Sequence, residues 1–312
     1  MSPFVLICII VAIILLLPLP FFPLVIGYIL WRILLVRTKP EKWARGCPED
    51  DPEQLEMLAI GKKWHDTHAH RMCDTHIVND GLNLYGQFYD FGSTETVIFL
   101  PGRSDSLCYT RFWAAAYENT GRNIFLYDPR AHGNSDGKYS TVGFEEHKDL
   151  RLWIDYLQKN HHTESVILHG ICVGCSSGIF MQTGPDPSPI VRGMVAEGVY
   201  STFHESCKNH MIEQERAHRL IMPFIGMWFR LFTGHRITRG PVDVIGRLKT
   251  PLLMLHSKED LYSLPTTAQQ MYDAAGPENK KLVWFPRGGH SRLRLVDPQR
   301  YDKAIREFLD TL

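Results

Sequence analysis

The chain changes character once, near its start. Met1 through Trp31 carry no charged side chain, and beyond them polar and apolar positions alternate in short blocks. A helix rises ~1.5 Å per residue and the hydrocarbon core of a bilayer is about 30 Å thick, so roughly 20 apolar residues can cross it. The opening stretch exceeds that and predicts an N-terminal transmembrane helix. No basic residue precedes the run, and Arg32, Arg37, Lys39, Lys42 and Arg45 follow it. That pattern fits a retained anchor better than a cleaved signal peptide, and by the positive-inside rule it places the body in the cytoplasm. Pro18, Pro20 and Pro23 each remove a backbone donor, which leaves two forms open, a single kinked span and a re-entrant hairpin in one leaflet. Either one tethers the body to a cell membrane.

The pattern divides the rest of the chain. Residues 1–36 read as the anchor and 37–70, charged and weakly periodic, as a juxtamembrane linker with a short helix in 40–62 and no core; 71–312 form the folded domain. Residues 75–88 alternate around Asn79-Asp80-Gly81, the signature of a β-hairpin. Short apolar runs recur at 96–100, 123–127, 166–169, 193–197, 252–256 and 282–285 and predict buried parallel strands. Between them lie helical stretches such as 144–160, where Leu150, Trp153, Ile154 and Leu157 share one face, and 301–312. Strand alternating with helix predicts an α/β fold, a mostly parallel central sheet with helices on both faces. Residues 201–240 break the alternation and are too long for an ordinary crossover. They read as a helical cap in which Phe224, Met227 and Trp228 would meet substrate; two amphipathic helices packed on the sheet would have the same composition.

Composition narrows the function. With 34 Lys+Arg against 34 Asp+Glu there is no basic field to hold a phosphate backbone, so no nucleic-acid partner is expected. Seven cysteines at irregular spacing make a poor disulfide framework and fit reduced thiols in the cytoplasm.

The chemistry is carried by 165–174. After the strand Ser165-Val166-Ile167-Leu168-His169 comes Gly170-Ile171-Cys172-Val173-Gly174. Glycines two residues either side of a nucleophile, between strand and helix, form a nucleophile elbow; here the nucleophile is a cysteine, and the helix N-terminus behind it favours thiolate. Gly174-Cys175-Ser176-Ser177-Gly178 also matches G-x-S-x-G, but it begins four residues too late and buries Ser176 in the helix. Asp260, just past a strand end, and His290, in a glycine-flanked loop after the next strand, follow in the order nucleophile, acid, histidine.

On these motifs residues 75–312 resemble an α/β-hydrolase of the monoglyceride-lipase or serine-aminopeptidase-like group. Phe99-Leu100-Pro101-Gly102-Arg103 resembles that group's oxyanion loop, and residues 127–137, containing Arg130-Ala131-His132-Gly133-Asn134-Ser135, its post-strand loop. The resemblance implies a Cys172–His290–Asp260 triad, with the N–H groups of Val173 and Arg103 as the oxyanion hole. Two departures stand out. Cysteine replaces the usual serine, as in dienelactone hydrolases, and Pro101 stands where the oxyanion loop usually has histidine. The expected activity is membrane-anchored cleavage of a carboxylic ester or thioester, lipid-like in character, through an acyl-cysteine, with no cofactor. An acyltransferase using the same intermediate and an inactive binding module are the alternatives.

Two further motifs have weaker readings. Cys172-Val173-Gly174-Cys175 is a C-x-x-C, which would allow oxidation to join the pair and stop turnover. His65, His68, His70, Cys73 and His76 cluster, and Thr67-His68-Ala69-His70 resembles the opening of a metallo-β-lactamase motif. Met72 and Cys73 occupy its closing positions, so no metal is expected there.

Overall fold

The computed structural model describes Val5, residues 21–39, Trp43 and residues 51–312. Its centre is an eight-stranded sheet in the order β1-β2-β4-β3-β5-β6-β7-β8. The first two strands, β1 (Met72–Asn79) and β2 (Leu82–Tyr89), form the hairpin at one edge. Its two turn residues, Asp80 and Gly81, have φ of 51° and 76°, the left-handed pair whose twist matches the flanking strands. β2 runs antiparallel to β4 (Asn123–Tyr127); from β4 onward the neighbours are parallel, through β3 (Glu95–Leu100), β5 (Ser165–Ile171), β6 (Val191–Glu197), β7 (Leu252–Ser257) and β8 (Lys280–Phe285). The apolar runs therefore mark the strands, within two residues at each end.

Helices cover both faces. Naming helices in chain order, α1 is Phe22–Leu35, α2 Pro52–His68, α3 Leu107–Ala114, α4 Glu146–His161, α5 Val173–Thr183, α6 Phe203–Glu213, α7 His218–Thr233, α8 Pro265–Ala274, α9 Leu293–Val296 and α10 Pro298–Leu309. α2, α3 and α10 pack in one core with Val97, Phe99 and Ile167. α4, α5 and α8 fill the other with Ile98, Leu168 and Met254. The predicted stripe on α4, Leu150, Trp153, Ile154 and Leu157, is wholly buried.

Two boundaries differ from the sequence reading. Residues 51–68 are no coreless linker. The Asp51 carboxylate caps α2 by accepting from the Glu53 and Gln54 N–H groups, both at 3.1 Å, and Pro52 sits at the first turn, where its missing donor costs nothing. Met57 and Trp64 enter the core, and Gly61 lies against the Phe112 backbone, where a β-carbon would come within 2.9 Å of its nitrogen.

The second difference concerns the anchor. Most of residues 1–20 lie outside the described residues. The described part of the predicted span, α1, is 14 residues and so about 21 Å long, and among the described residues no helix is long and apolar enough to cross a membrane. Instead α1 packs on the cap. A β-carbon on Gly27 would meet that of Phe224 at 2.5 Å, so only glycine allows the two helices this close. Trp31 stacks on Phe232 at 4.5 Å, and Trp228 Nε1 donates to the Leu24 carbonyl at 3.0 Å. Trp31 and Leu35 join Phe203, Met222, Ile225 and Phe229 in a third apolar cluster, the interior of the cap.

One buried chain of polar groups crosses the core under the strand ends. Tyr301 donates to Glu197 at 2.6 Å, His169 Nε2 lies 2.9 Å from the Tyr301 hydroxyl, and His169 Nδ1 lies 3.0 Å from that of Tyr117. Because the Tyr301 proton goes to Glu197, His169 donates from Nε2 and accepts at Nδ1, a neutral ring. Burial, with a smaller push from Arg294, lowers its pKa to about 3. A lowered histidine stabilises the fold above the unfolded value near 6.5, and that contribution is lost as pH falls toward 3, because the unfolded chain takes up the proton first. The melting temperature should therefore fall between pH 7 and pH 4, with a slope from this residue of at most about 1.4 kcal/mol per pH unit. A His169→Gln protein should melt lower at pH 7 and show a shallower decline, measured by calorimetry across that range.

Candidate active site

Every side chain proposed for chemistry stands at the carboxyl edge of the sheet. β3 and β5 are neighbours in register Leu100↔Gly170, so the Pro101-Gly102-Arg103 loop and the elbow leave the sheet side by side. The acid and the histidine follow β7 and β8 at the same edge, where parallel sheets commonly bind ligands.

Cys172 sits between the last residue of β5 and the first of α5 with φ 50° and ψ −111°, a backbone conformation L-residues avoid. Its N–H is held by the Glu197 carbonyl at 2.9 Å. Both elbow glycines are required by close approach. A β-carbon at Gly170 would lie 2.8 Å from the Cys175 nitrogen, and one at Gly174 would overlap the Leu100 carbonyl oxygen. The turn lifts Cys172 into a cavity of about 290 Å³ that it shares with His290, the Gly102–Asp105 loop, Tyr262 and residues of α6. Ser176 is fully buried within α5, as its position in the sequence implies.

His290 Nδ1 donates to Asp260 Oδ2 at 2.8 Å. The other carboxylate oxygen, Oδ1, accepts from the N–H groups of Tyr262 and Ser263 at 2.9 and 2.8 Å. Burial pushes the Asp260 carboxyl up, but His290, with help from His256 and the Ser263 N–H, holds it below the usual carboxylate range. Burial likewise disfavours charge on His290, yet Asp260 and the Cys172 thiol outweigh it and hold the imidazolium well above the ordinary histidine range. Nε2, on the far side of the ring from Asp260, is buried without a hydrogen-bond partner among the described residues. The Cys172 thiol is close enough to help raise this histidine, a contact that commonly tightens when substrate binds.

The N–H of Val173 opens α5, so it has no partner inside the helix, and that of Arg103 has none among the described residues. Two donors left open beside a thiol suit an oxyanion. The Arg103 side chain turns away and donates to the Leu34 carbonyl at 3.2 Å, tying the oxyanion loop to the end of α1.

The cap meets the site differently from the sequence expectation. None of Phe224, Met227 and Trp228 lines the cavity with Cys172. Phe224 and Trp228, one turn apart on α7, are used against Gly27 and Leu24 of α1, and Met227 faces a separate open groove with Leu231 and Arg236. The cavity wall comes instead from Phe203, Ser206, Cys207 and His210 of α6, from Leu34 of α1, and from Arg292, which pairs with Asp51 at 3.1 Å. The four α6 residues fall inside the cap read from 201–240 but were not assigned to the cavity; their one signal was place, since α6 begins six residues after β6. Leu34 and Arg292 carried none.

The remaining motifs resolve into structure. Cys175 is buried with its sulfur 3.4 Å from the Glu197 carbonyl, and burial pushes its pKa well up. His65 bonds the Tyr89 hydroxyl at 2.7 Å and His68 the Trp64 carbonyl at 2.8 Å. Among the described residues no three His, Cys, Asp or Glu side chains are grouped to hold a metal ion. His256 donates to the Ser263 carbonyl at 2.7 Å and is wholly buried.

This arrangement is the α/β-hydrolase fold. An esterase of Pyrococcus furiosus superposes with a TM-score of 0.68 at 23% identity, over 88% of this chain and 98% of its own. The esterase EaEST of Exiguobacterium antarcticum gives 0.57 at 16% identity, over 76% and 99%. The α/β hydrolase GrgF of a Penicillium species gives 0.60 at 17%, over 77% and 98%. No family model matches the sequence. Among curated proteins, an uncharacterized protein of Bacillus subtilis is 26% identical over 222 residues, 70% of this chain and 72% of its own length. An uncharacterized membrane protein of Saccharomyces cerevisiae is 24% identical over 223 residues, 70% and 71%.

Proposed function

We propose that the protein is a membrane-associated esterase that works through an acyl-cysteine. The observation that carries this reading is the placing of Cys172 on a strained elbow, open to a cavity it shares with the His290–Asp260 pair. His290 Nε2 takes the thiol proton, giving a thiolate–imidazolium pair that the raised histidine favours, and the sulfur then attacks the ester carbonyl. The oxyanion is held by the N–H groups of Val173 and Arg103. Collapse breaks the carbon–oxygen bond, the departing alkoxide takes the proton from His290, and a thioester remains. Water, deprotonated by the same nitrogen, cleaves the thioester, releasing the acid and restoring the thiol.

A lipid-like substrate is supported by what surrounds the cap. Phe22, Val25, Ile29 and Ile33 of α1 and Leu220, Met227 and Leu231 of α7 are exposed large apolar residues on two helices packed together. Arg216, Arg219, Arg230, Arg236 and Arg239 lie between Glu215 and Asp243 with no acid among them, a charge bias that suits anionic headgroups. The apolar N-terminal stretch leads into α1, and one curated relative is described as a membrane protein. The basic residues after Trp31 favour a body on the cytoplasmic side.

The test is selective labelling. Iodoacetamide at less than one equivalent should alkylate Cys172 ahead of the exposed Cys73, whose pKa burial and Asp74 raise, and should spare Cys207, which burial pushes up to about 11. A short-chain chromogenic ester should leave an acyl group on the same peptide. Peptide mapping that finds Cys73 modified and Cys172 untouched would remove the reading.

A further inference from the structure

The loop after β4 contains a histidine that the triad does not use. His132 is 1% exposed, with its ring between two main-chain carbonyls. Nε2 lies 2.7 Å from the Arg103 oxygen and Nδ1 3.0 Å from that of Arg130. A carbonyl oxygen only accepts, so the ring must be the donor, and the shorter contact is the one to Arg103.

We propose that His132 is a positioning residue whose Nε2 donates to the Arg103 carbonyl and so holds the Arg103 peptide, and with it one oxyanion donor, in place. This rests on Arg103 N–H serving as that donor. The surroundings hold the ring. It stacks on Trp43 with centroids 4.6 Å apart and planes 11° apart. Burial raises the carboxyls of Asp105, in the oxyanion loop, and Asp128, at the end of β4, above the usual range, and His132 draws both back part of the way. The nearby cations are engaged elsewhere. Arg130 is paired with Asp149 through two bonds of 2.7 Å, Arg37 donates to the Gly133 and Ser135 carbonyls, and Arg103 donates to Leu34.

The loop is built to hold this ring still. Asp128 accepts from the Leu107 N–H at 2.8 Å and the Asn134 N–H at 2.9 Å, joining the start of α3 to the far side of the loop. Gly133, at φ 48°, has no room for a β-carbon beside that carboxylate. The Arg130 carbonyl is therefore a fixed post, and His132 is the strut between it and the oxyanion loop.

Two measurements on the full-length protein test this, one of them independent of activity. With ¹⁵N-labelled histidine, and His132 assigned by its loss in the His132→Gln spectrum, Nε2 of His132 should carry a proton. A spectrum in which that nitrogen is bare overturns the proposal whether or not the protein turns over esters, and absence of turnover in wild type is instead a failure of the esterase reading. On a short-chain ester, His132→Phe keeps an aromatic ring for Trp43 but no donor, and should lower kcat about 10- to 100-fold with KM within about twofold. His132→Gln, whose amide still donates to the Arg103 carbonyl, should recover most of that loss. Unchanged kcat in the phenylalanine protein overturns the proposal, and so does a loss that follows its melting temperature and is not rescued by glutamine.

Discussion

A Cys172→Ala protein folds normally and loses at least about 10³ of kcat on a chromogenic short-chain ester. Alanine keeps the elbow's backbone, since the positive φ of Cys172 belongs to the turn and the Glu197 carbonyl still receives the residue's N–H. It removes the sulfur, and with it the thioester. The oxyanion donors and the cavity persist, so a small residual rate over solution is expected. Ser176→Ala should retain wild-type activity, because that hydroxyl is buried inside α5. Steady-state rates with intact mass after ester exposure check both. Full activity in the Cys172→Ala protein would end the covalent mechanism.

Asp260→Asn should cost about 10³ to 10⁴ in kcat with almost no change in melting temperature. The reason lies in the two ends of the carboxylate. Oδ1 is fixed by the Tyr262 and Ser263 N–H groups, both donors, so the amide oxygen of asparagine keeps that end. Its NH₂ then faces His290 Nδ1 and donates, where the native carboxylate accepts. Nδ1 must give up its proton, Nε2 must carry one, and the nitrogen beside Cys172 can no longer act as a base. The pH–rate profile, combined with calorimetry, separates this from unfolding. A loss under tenfold would mean that Asp260 does not set the tautomer.

What could be read from the sequence, and what could not, divides by the range of the interactions involved. The strands were legible because a strand buried on both faces must be an apolar run, and the hairpin because Asp80-Gly81 is a local turn code. The elbow was legible because the steric demand falls on Gly170 and Gly174, one residue before the strand end and three after it. Ser176 was set aside by the same reasoning. A short helix was expected ahead of the first strand, but the core contact of α2 was hidden because only two of its four buried positions, Met57 and Trp64 beside Gly61 and His68, carry large apolar side chains. The cap side chains were misassigned because apolar residues on α7 satisfy two partners, α1 and the cap interior, and composition cannot say which face meets which. His132 carried no signal beyond its motif, since its role depends on two carbonyls, one of them 29 residues away.

Leu34 forms part of the cavity wall, and its carbonyl is bonded to the side chain of Arg103 in the oxyanion loop. The chain that precedes α1 is thereby mechanically in series with the reaction centre. Load applied to the N-terminal stretch would pass along one short helix, shared with α7 at Gly27 and Trp31, to that carbonyl. The same linkage would carry a displacement of the loop outward to whatever holds the first residues.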